Sequence, residues 1–260
     1  MNILQEIISD KEKEVQERSS ITPLERIKDS QRLFAIRDFP KALQSENPAI
    51  IAEIKMQSPS SGVICIDGDP LAIAKSYEKN GAAAISVLTD QKYFGGKLEY
   101  IQQVKNGVSP PVLRKDFIIS EYQVWESFQA GADAILLIAD ALEKNKCKEL
   151  YSLAEELGMH VLLEVHSETH LNWALEMQPK IIGINCRDLK SMKTDLHLLE
   201  KLMARLPETS IKIAESGIQN HDDITLISEW GYDAALVGTS LMKTGNPGSA
   251  WAELLNRVPA

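Results

Sequence analysis

The sequence predicts an α/β protein: a closed parallel (β/α)8 barrel with an N-terminal helical extension. Three observations carry that expectation. From Ala49 onward, short apolar, β-branched runs alternate with stretches of helical length, eight of each in the 260 residues. Strands alternating with helices of about 10–15 residues imply parallel βαβ units. Polar residues interrupt the apolar runs near their C-terminal ends, the end at which parallel barrels carry their chemistry.

The elements follow in order. Ile3, Leu4, Ile7, Ile8 and Val15 share one face of a first helix, and the charge run Lys11 to Glu14 reads as its solvated face. Pro23 starts a second helix toward Asp29. The strands are expected at 49–56, 83–89, 111–117, 134–140, 160–166, 181–187, 211–217 and 234–241. Helices are expected around 70–80, 97–106, 120–130, 143–158, 167–177, 195–206, 219–230 and 247–257. Asp69-Pro70 is an N-cap followed by proline at the first helical position. Gly81, Gly131, Gly158 and Gly231 each stand where a helix ends through a left-handed residue before a strand. An open doubly wound sheet is disfavoured, since no GxGxxG opens the first unit. The whole chain, 1–260, reads as one domain: an extension over 1–48, then a TIM barrel over 49–257.

Composition narrows the function. A net charge of −9 and a pI near 5.2 oppose nonspecific nucleic-acid binding, which needs a basic face. Cys65, Cys147 and Cys186 are far apart, without a CxxC pair, which fits reduced thiols and a cytoplasmic location. The most apolar run, Ala134 to Ala139, is too short to span a membrane. His166 and His170 lie four apart but straddle a strand end and a helix start, so no metal site is expected. Trp125, Trp173, Trp230 and Trp251 fall on helices as packing residues.

Polar residues at strand ends define the candidate site. They are Glu53 and Lys55, Lys115 and Asp116, Glu164, Asn185 and Arg187, and Glu215. Alternate residues share one face of a strand, so Glu53 with Lys55, Lys115 with Phe117, and Asn185 with Arg187 converge inside the barrel mouth. Burying so many charges without function would cost several kcal/mol for each poorly paired ion. Glu215-Ser216-Gly217-Ile218 and Gly238-Thr239-Ser240 occupy the seventh and eighth βα loops, the usual phosphate position. Ser58-Pro59-Ser60-Ser61-Gly62 adds hydroxyl and N–H donors. Phe94, Phe117 and Leu136 are candidate walls for an aromatic ligand. Three readings fit these residues alone: an acid–base enzyme, a Schiff-base aldolase or phosphoribosyl isomerase, and a noncatalytic barrel that binds a phosphometabolite.

The motifs Glu53-Ile54-Lys55 with Ser58-Pro59-Ser60, Ser86-Val87-Leu88-Thr89-Asp90 with Tyr93-Phe94, and Arg114-Lys115-Asp116-Phe117 resemble those of the indole-3-glycerol-phosphate synthase family. So do Leu163-Glu164-Val165-His166, Gly183-Ile184-Asn185 with Arg187-Asp188-Leu189, Glu215-Ser216-Gly217-Ile218 and Gly238-Thr239-Ser240-Leu241-Met242. The resemblance implies a lyase of tryptophan biosynthesis without metal or organic cofactor; the chain is expected to be a monomer. Its small phosphorylated substrate would be 1-(2-carboxyphenylamino)-1-deoxyribulose 5-phosphate, and its product indole-3-glycerol phosphate. It implies Lys115 as general acid and Glu164 as a second acid–base residue, with Glu53 and Asn185 orienting the ribulose hydroxyls. Lys55 and Arg187 would meet the carboxylate and phosphate, while Ser216, Gly217, Gly238 and Thr239 would line the phosphate. It also implies that the extension packs over the active-site end. Met56, Gln57 and Ser61 stand where members carry basic residues, which implies a weaker positive field. Cys186 replaces an asparagine or serine, and Thr239 a serine.

Overall fold

A computed structural model describes residues 3–59, 62–65, 68–188, 193–242 and 247–256; Ser60, Ser61 and Leu189 lie outside the described residues. Eight short strands form the centre: β1 (Ala49–Ile54), β2 (Ala84–Leu88), β3 (Val112–Lys115), β4 (Ala134–Ile138), β5 (His160–Val165), β6 (Ile181–Asn185), β7 (Ile211–Glu215) and β8 (Ala234–Val237). Each pairs in parallel with its sequence neighbours, and β1 closes the ring on β8 through Ala49 opposite Ala234 and Ile51 opposite Leu236. A helix follows every strand, from Pro70–Lys79 after β1 to Pro247–Leu254 after β8. Among the described residues, no helix is long and apolar enough to cross a membrane.

Strand parity divides the core in two. Ile50, Ala52 and Ile54 of β1 face outward into the apolar shell between strands and helices, while Ala49 and Ile51 face the barrel axis. Both faces are buried, so the strands read as nearly continuous apolar runs. The punctuation is as the sequence predicts. Gly81, Gly131, Gly158 and Gly231 all take positive φ, and the Asp69 carboxylate accepts from the Leu71 N–H at 3.0 Å.

The extension closes both ends of the barrel. Its first helix, α1 (Ile3–Ile21), lies over the C-terminal rim, where Ile7 joins the inner core beside Tyr93 and Phe94. The chain then descends the outside. Arg32 donates to the carbonyls of Phe128 and Ala132, and Arg37 to those of Pro110 and Lys105. The Asp133 carboxylate accepts from the Arg37 N–H and pairs with buried Lys105 at 2.5 Å. Phe39 and Leu43, both fully buried, then plug the N-terminal mouth among Ala49, Ala84, Ala134 and Ala234.

One expectation fails here. Lys11 does not belong to a solvated face, because only 2% of its side chain is exposed. Its ammonium lies 2.9 Å from Asp90 and 3.0 Å from Asp116, carboxylates just beyond β2 and β3, and 2.7 Å from Glu14. Two carboxylates at the rim need a cation, and α1 supplies it. Burial lowers the Lys11 pKa, but Asp116 and Asp90 outweigh it and hold the amine above its ordinary range.

Candidate active site

The strands bring the predicted residues to one cavity of about 430 Å³ at the C-terminal rim. That lies within the usual span of roughly 300–1,000 Å³ for a small-molecule site. Glu53, Lys55, Ser58, Phe94, Lys115, Phe117, Leu136, Glu164, Asn185, Arg187, Glu215, Ser216, Gly217, Gly238 and Thr239 all line it. The sequence does not single out Leu88 and Ile138, although they share faces with Ser86 and Leu136 and parity places them inward. It gives no signal for Ala250 and Leu254, which reach the wall from the last helix.

Strands β1, β3, β5 and β7 each send one ionisable side chain to the same level, namely Glu53, Lys115, Glu164 and Glu215. Alternate strands fill such a barrel in layers, and here one layer is charged. The Lys115 ammonium stands 3.3 Å from Glu164 and 3.7 Å from Glu215. Lys55 stands 2.8 Å from Glu53. Burial pulls the Lys115 pKa down, yet Glu164, Glu215 and Glu53 outweigh it, and the amine is held protonated above its ordinary range. Burial raises the Glu53 pKa, but Lys55 and Lys115 bring it below the usual carboxylate range.

Glu164 and Glu215 are driven apart. For Glu164 burial is opposed by Lys115, then His166 and hydrogen bonds from Glu215 and Asn185, so the group stays ionised. For Glu215 burial and the negative charge of Glu164 together outweigh Lys115, and its pKa rises well above the usual range. Neither buried oxygen of Glu215 has a hydrogen-bond donor among the described residues. With a proton on one oxygen the Glu215 carboxyl can donate to Glu164, and the pair titrates as a unit.

Two loops meet at the far side of the cavity. Ser216 and Gly217 both take positive φ, at 67° and 76°. Ser240 donates its hydroxyl to the Ile218 carbonyl at 2.9 Å, tying the seventh βα loop to the eighth. The Cys186 thiol donates to the Ser216 carbonyl at 3.3 Å. Among the described residues no carboxylate pairs with Arg187, whereas Lys55 and Lys115 are both neutralised. Arg187 lines the same cavity. Over the cavity the rings of Phe94 and Phe117 are 6.2 Å apart, tilted by 34°. No group of three or more His, Cys, Asp or Glu among the described residues could hold a metal ion.

The profile of the family described as indole-3-glycerol phosphate synthase matches residues 4–254. The chain belongs to that family. It is 44% identical over 241 residues to the indole-3-glycerol phosphate synthase of Thermoanaerobacter sp. (strain X514), with 93% of this chain and 92% of the relative covered. The Chromobacterium violaceum enzyme of the same name is 42% identical over 258 residues, with 97% of each covered. A structure of the N-acetylmannosamine-6-phosphate 2-epimerase from Clostridium perfringens superposes with a TM-score of 0.62 at 14% identity, covering 83% of this chain and 96% of that one. At that identity the likeness concerns the barrel fold alone.

In this member of the indole-3-glycerol phosphate synthase family, a carboxy-lyase family, Met56 and Gln57 both stand off the cavity wall. Met56 is buried in the outer shell against Gly95 and is absent from the cavity wall. Gln57 donates its amide to the Lys92 carbonyl at 3.0 Å, again away from the cavity. Parity contained the first answer: with Glu53 and Lys55 inward, residue 56 faces outward.

Proposed function

We propose that this enzyme closes the indole ring of indole-3-glycerol phosphate from 1-(2-carboxyphenylamino)-1-deoxyribulose 5-phosphate, with loss of carbon dioxide and water. The reading rests on one observation: the Lys115 amine held 3.3 Å from the Glu164 carboxyl, in a cavity with apolar walls. Attack of the electron-rich aryl carbon on the ketone places negative charge on the carbonyl oxygen. Lys115 is the cation positioned to protonate it. Loss of the carboxylate then returns electrons to the ring without help from a metal. Dehydration removes the hydroxyl and a proton from the neighbouring ring carbon; Glu164, ionised at rest, accepts that proton and passes it to the departing hydroxyl as the second acid–base group. A positioned acid or base contributes about 10²–10⁴-fold each. Phe94, Phe117 and Leu136 hold the aryl ring against the ketone carbon, an orientation effect. Glu53 and Asn185 hold the ribulose hydroxyls. Ser58 and the two tied loops, through Ser216, Gly217, Gly238 and Thr239, receive the phosphate with a cation from Arg187 or Lys55.

The electrostatics favour this over a Schiff-base mechanism. A nucleophilic lysine needs a lowered pKa, and the acidic groups around Lys115, Glu164 foremost, raise it. We read the enzyme as a monomer acting on a small phosphorylated substrate, and the net charge of −9 opposes a nucleic-acid partner. Three separated thiols support a cytoplasmic setting. The decisive experiment is incubation with the ribulose phosphate while recording indole absorbance and fluorescence. Product formation carries the proposal, and binding without product overturns it. A borohydride-trapped adduct on Lys115 would replace the general-acid role by a covalent one. Sedimentation at working concentration tests the monomer.

A further inference from the structure

Beside Glu164 stands a second set of ionisable groups. The Nε2 atom of His166 lies 3.2 Å from Oε1 of Glu164, and only 6% of the histidine side chain is exposed. His166 is absent from the cavity wall. Its Nδ1 faces Oδ2 of Asp140 at 3.3 Å, and its backbone N–H donates to the same oxygen at 3.1 Å. Oδ1 of Asp140 meets Nδ1 of His170 at 2.9 Å, and the Ser167 hydroxyl meets that nitrogen at 2.8 Å. Asp140 belongs to the 3-10 turn Ala139–Ala141 directly after β4, so the set spans two neighbouring βα connections. Although close to Glu164, Nε2 makes no hydrogen bond of good geometry. The contact is a misaligned electrostatic one between a buried ring and a buried carboxylate.

We propose that His166, braced by Asp140, is a positioning residue that sets the orientation and charge of Glu164. This rests on the acid–base role read for Glu164 above. The imidazole edge faces the oxygen of Glu164 that does not meet Lys115, since Lys115 approaches Oε2 and His166 approaches Oε1. One carboxylate is thus held between a cation at one oxygen and an imidazole edge at the other. Asp140 fixes the ring by engaging both its Nδ1 and the backbone N–H of the same residue. Without the ring, Glu164 loses a restraint on one oxygen and gains space to turn away from the substrate. A displacement on the order of 1 Å at a catalytic group lowers turnover by up to about 10²-fold.

The test is a set of steady-state measurements on the full chain. His166→Phe keeps the ring volume and removes both nitrogens, and it is expected to lower kcat roughly ten- to a hundred-fold with KM little changed. His166→Gln, whose amide can reach toward Glu164, should recover part of that loss. Asp140→Asn should lower kcat in the same direction, and combining it with His166→Phe should add little, because the two act as a unit. In a Glu164→Gln background, His166→Phe should produce no further loss. If Glu164→Gln itself turns over normally, the reading of Glu164 fails. If Glu164→Gln is slow while folded His166→Phe, with a thermal midpoint above the assay temperature, matches the unaltered enzyme, the role of His166 fails. Should His166→Phe not fold, His166→Gln and Asp140→Asn decide: normal kcat in both overturns the proposal.

Discussion

A Cβ on Gly183 would lie 2.2 Å from Oε1 of Glu215 and 3.1 Å from a methyl of Leu162. Gly183 does not take a positive φ, so backbone freedom is not what it supplies. It supplies the volume in which the Glu215 carboxyl sits. Gly238 does the same for Glu53, whose Oε1 lies 2.3 Å from the position a Cβ would take. Two glutamates of the charged layer therefore occupy space left by glycines on neighbouring strands, and Gly238 has a part beyond lining a phosphate loop. Gly183→Ala must push Glu215 toward Lys115 and Glu164. Overpacking of this kind destabilises by about 1–3 kcal/mol, and turnover should fall at least about tenfold through the displaced carboxyl. Thermal unfolding and kcat together check this; unchanged values in both would show that the layer can shift freely.

Lys115→Met removes the ammonium that three carboxylates surround. Turnover should fall at least about 10²-fold while substrate affinity stays similar, as expected for a general acid whose contribution arises in the transition state. Single-turnover rates with equilibrium binding separate the two quantities. Near-normal turnover would remove Lys115 from the chemistry.

The lesson for sequence reading lies in which residues carried a signal. Glu53, Lys55, Lys115, Glu164 and Asn185 stand as polar letters in apolar strands, and strand parity sends them to one face. Their convergence was legible because parallel barrel strands are otherwise apolar. Gly183 carried no such signal, since its contribution is the absence of a side chain. Lys11 was misread because a helical charge run has the pattern of a solvated face. Its partners Asp90 and Asp116 are distant in sequence, and nothing local announces them. His166 appeared in a motif and as a weak metal candidate, but its position behind Glu164 depends on the turn that brings Asp140 across from β4.

Glu215→Gln tests the shared proton. With burial and the Glu164 charge keeping Glu215 protonated, a neutral amide of similar shape should replace it well. We expect kcat/KM within roughly tenfold of the unaltered enzyme, whereas Glu215→Ala, which leaves Glu164 without that donor, should lose more. Infrared difference spectra should show a protonated carboxyl band that disappears in Glu215→Gln. Retention of the band, or a far larger loss with glutamine, would mean that Glu215 is ionised at rest or passes its proton to substrate.

Lys11→Met tests the clamp that seats α1 on the rim. It leaves Asp90 without its buried cation while Asp116 keeps Arg114 at 3.0 Å, and breaking a buried pair by removing one partner costs up to about 3–5 kcal/mol. The expected result is a lower thermal midpoint, together with faster proteolysis within residues 3–21, where the helix is released. Unchanged protection of α1 would show that apolar contacts such as Ile7 hold it unaided.

The same clamp fixes a pH dependence with a defined sign. Burial raises the Asp116 pKa, but Arg114 and Lys11, with hydrogen bonds from Thr89 and Lys11, hold it well below its ordinary value of 3.8. A depressed carboxyl contributes stability that is complete above its unfolded pKa and is lost as pH falls through the folded one. Lys11 is the opposite case. Its pKa lies above the ordinary 10.5, so its contribution is complete below that value and is lost as pH rises through the folded pKa. The stability difference between the unaltered chain and Lys11→Met should therefore be flat from about pH 5 to pH 9. It should shrink below the ordinary aspartate pKa of 3.8 and again above the ordinary lysine pKa of 10.5. Thermal midpoints of both proteins across this range measure the difference directly. A difference that stays constant into acid and alkali would mean that Lys11 contributes through the packing of its methylenes and not through its charge.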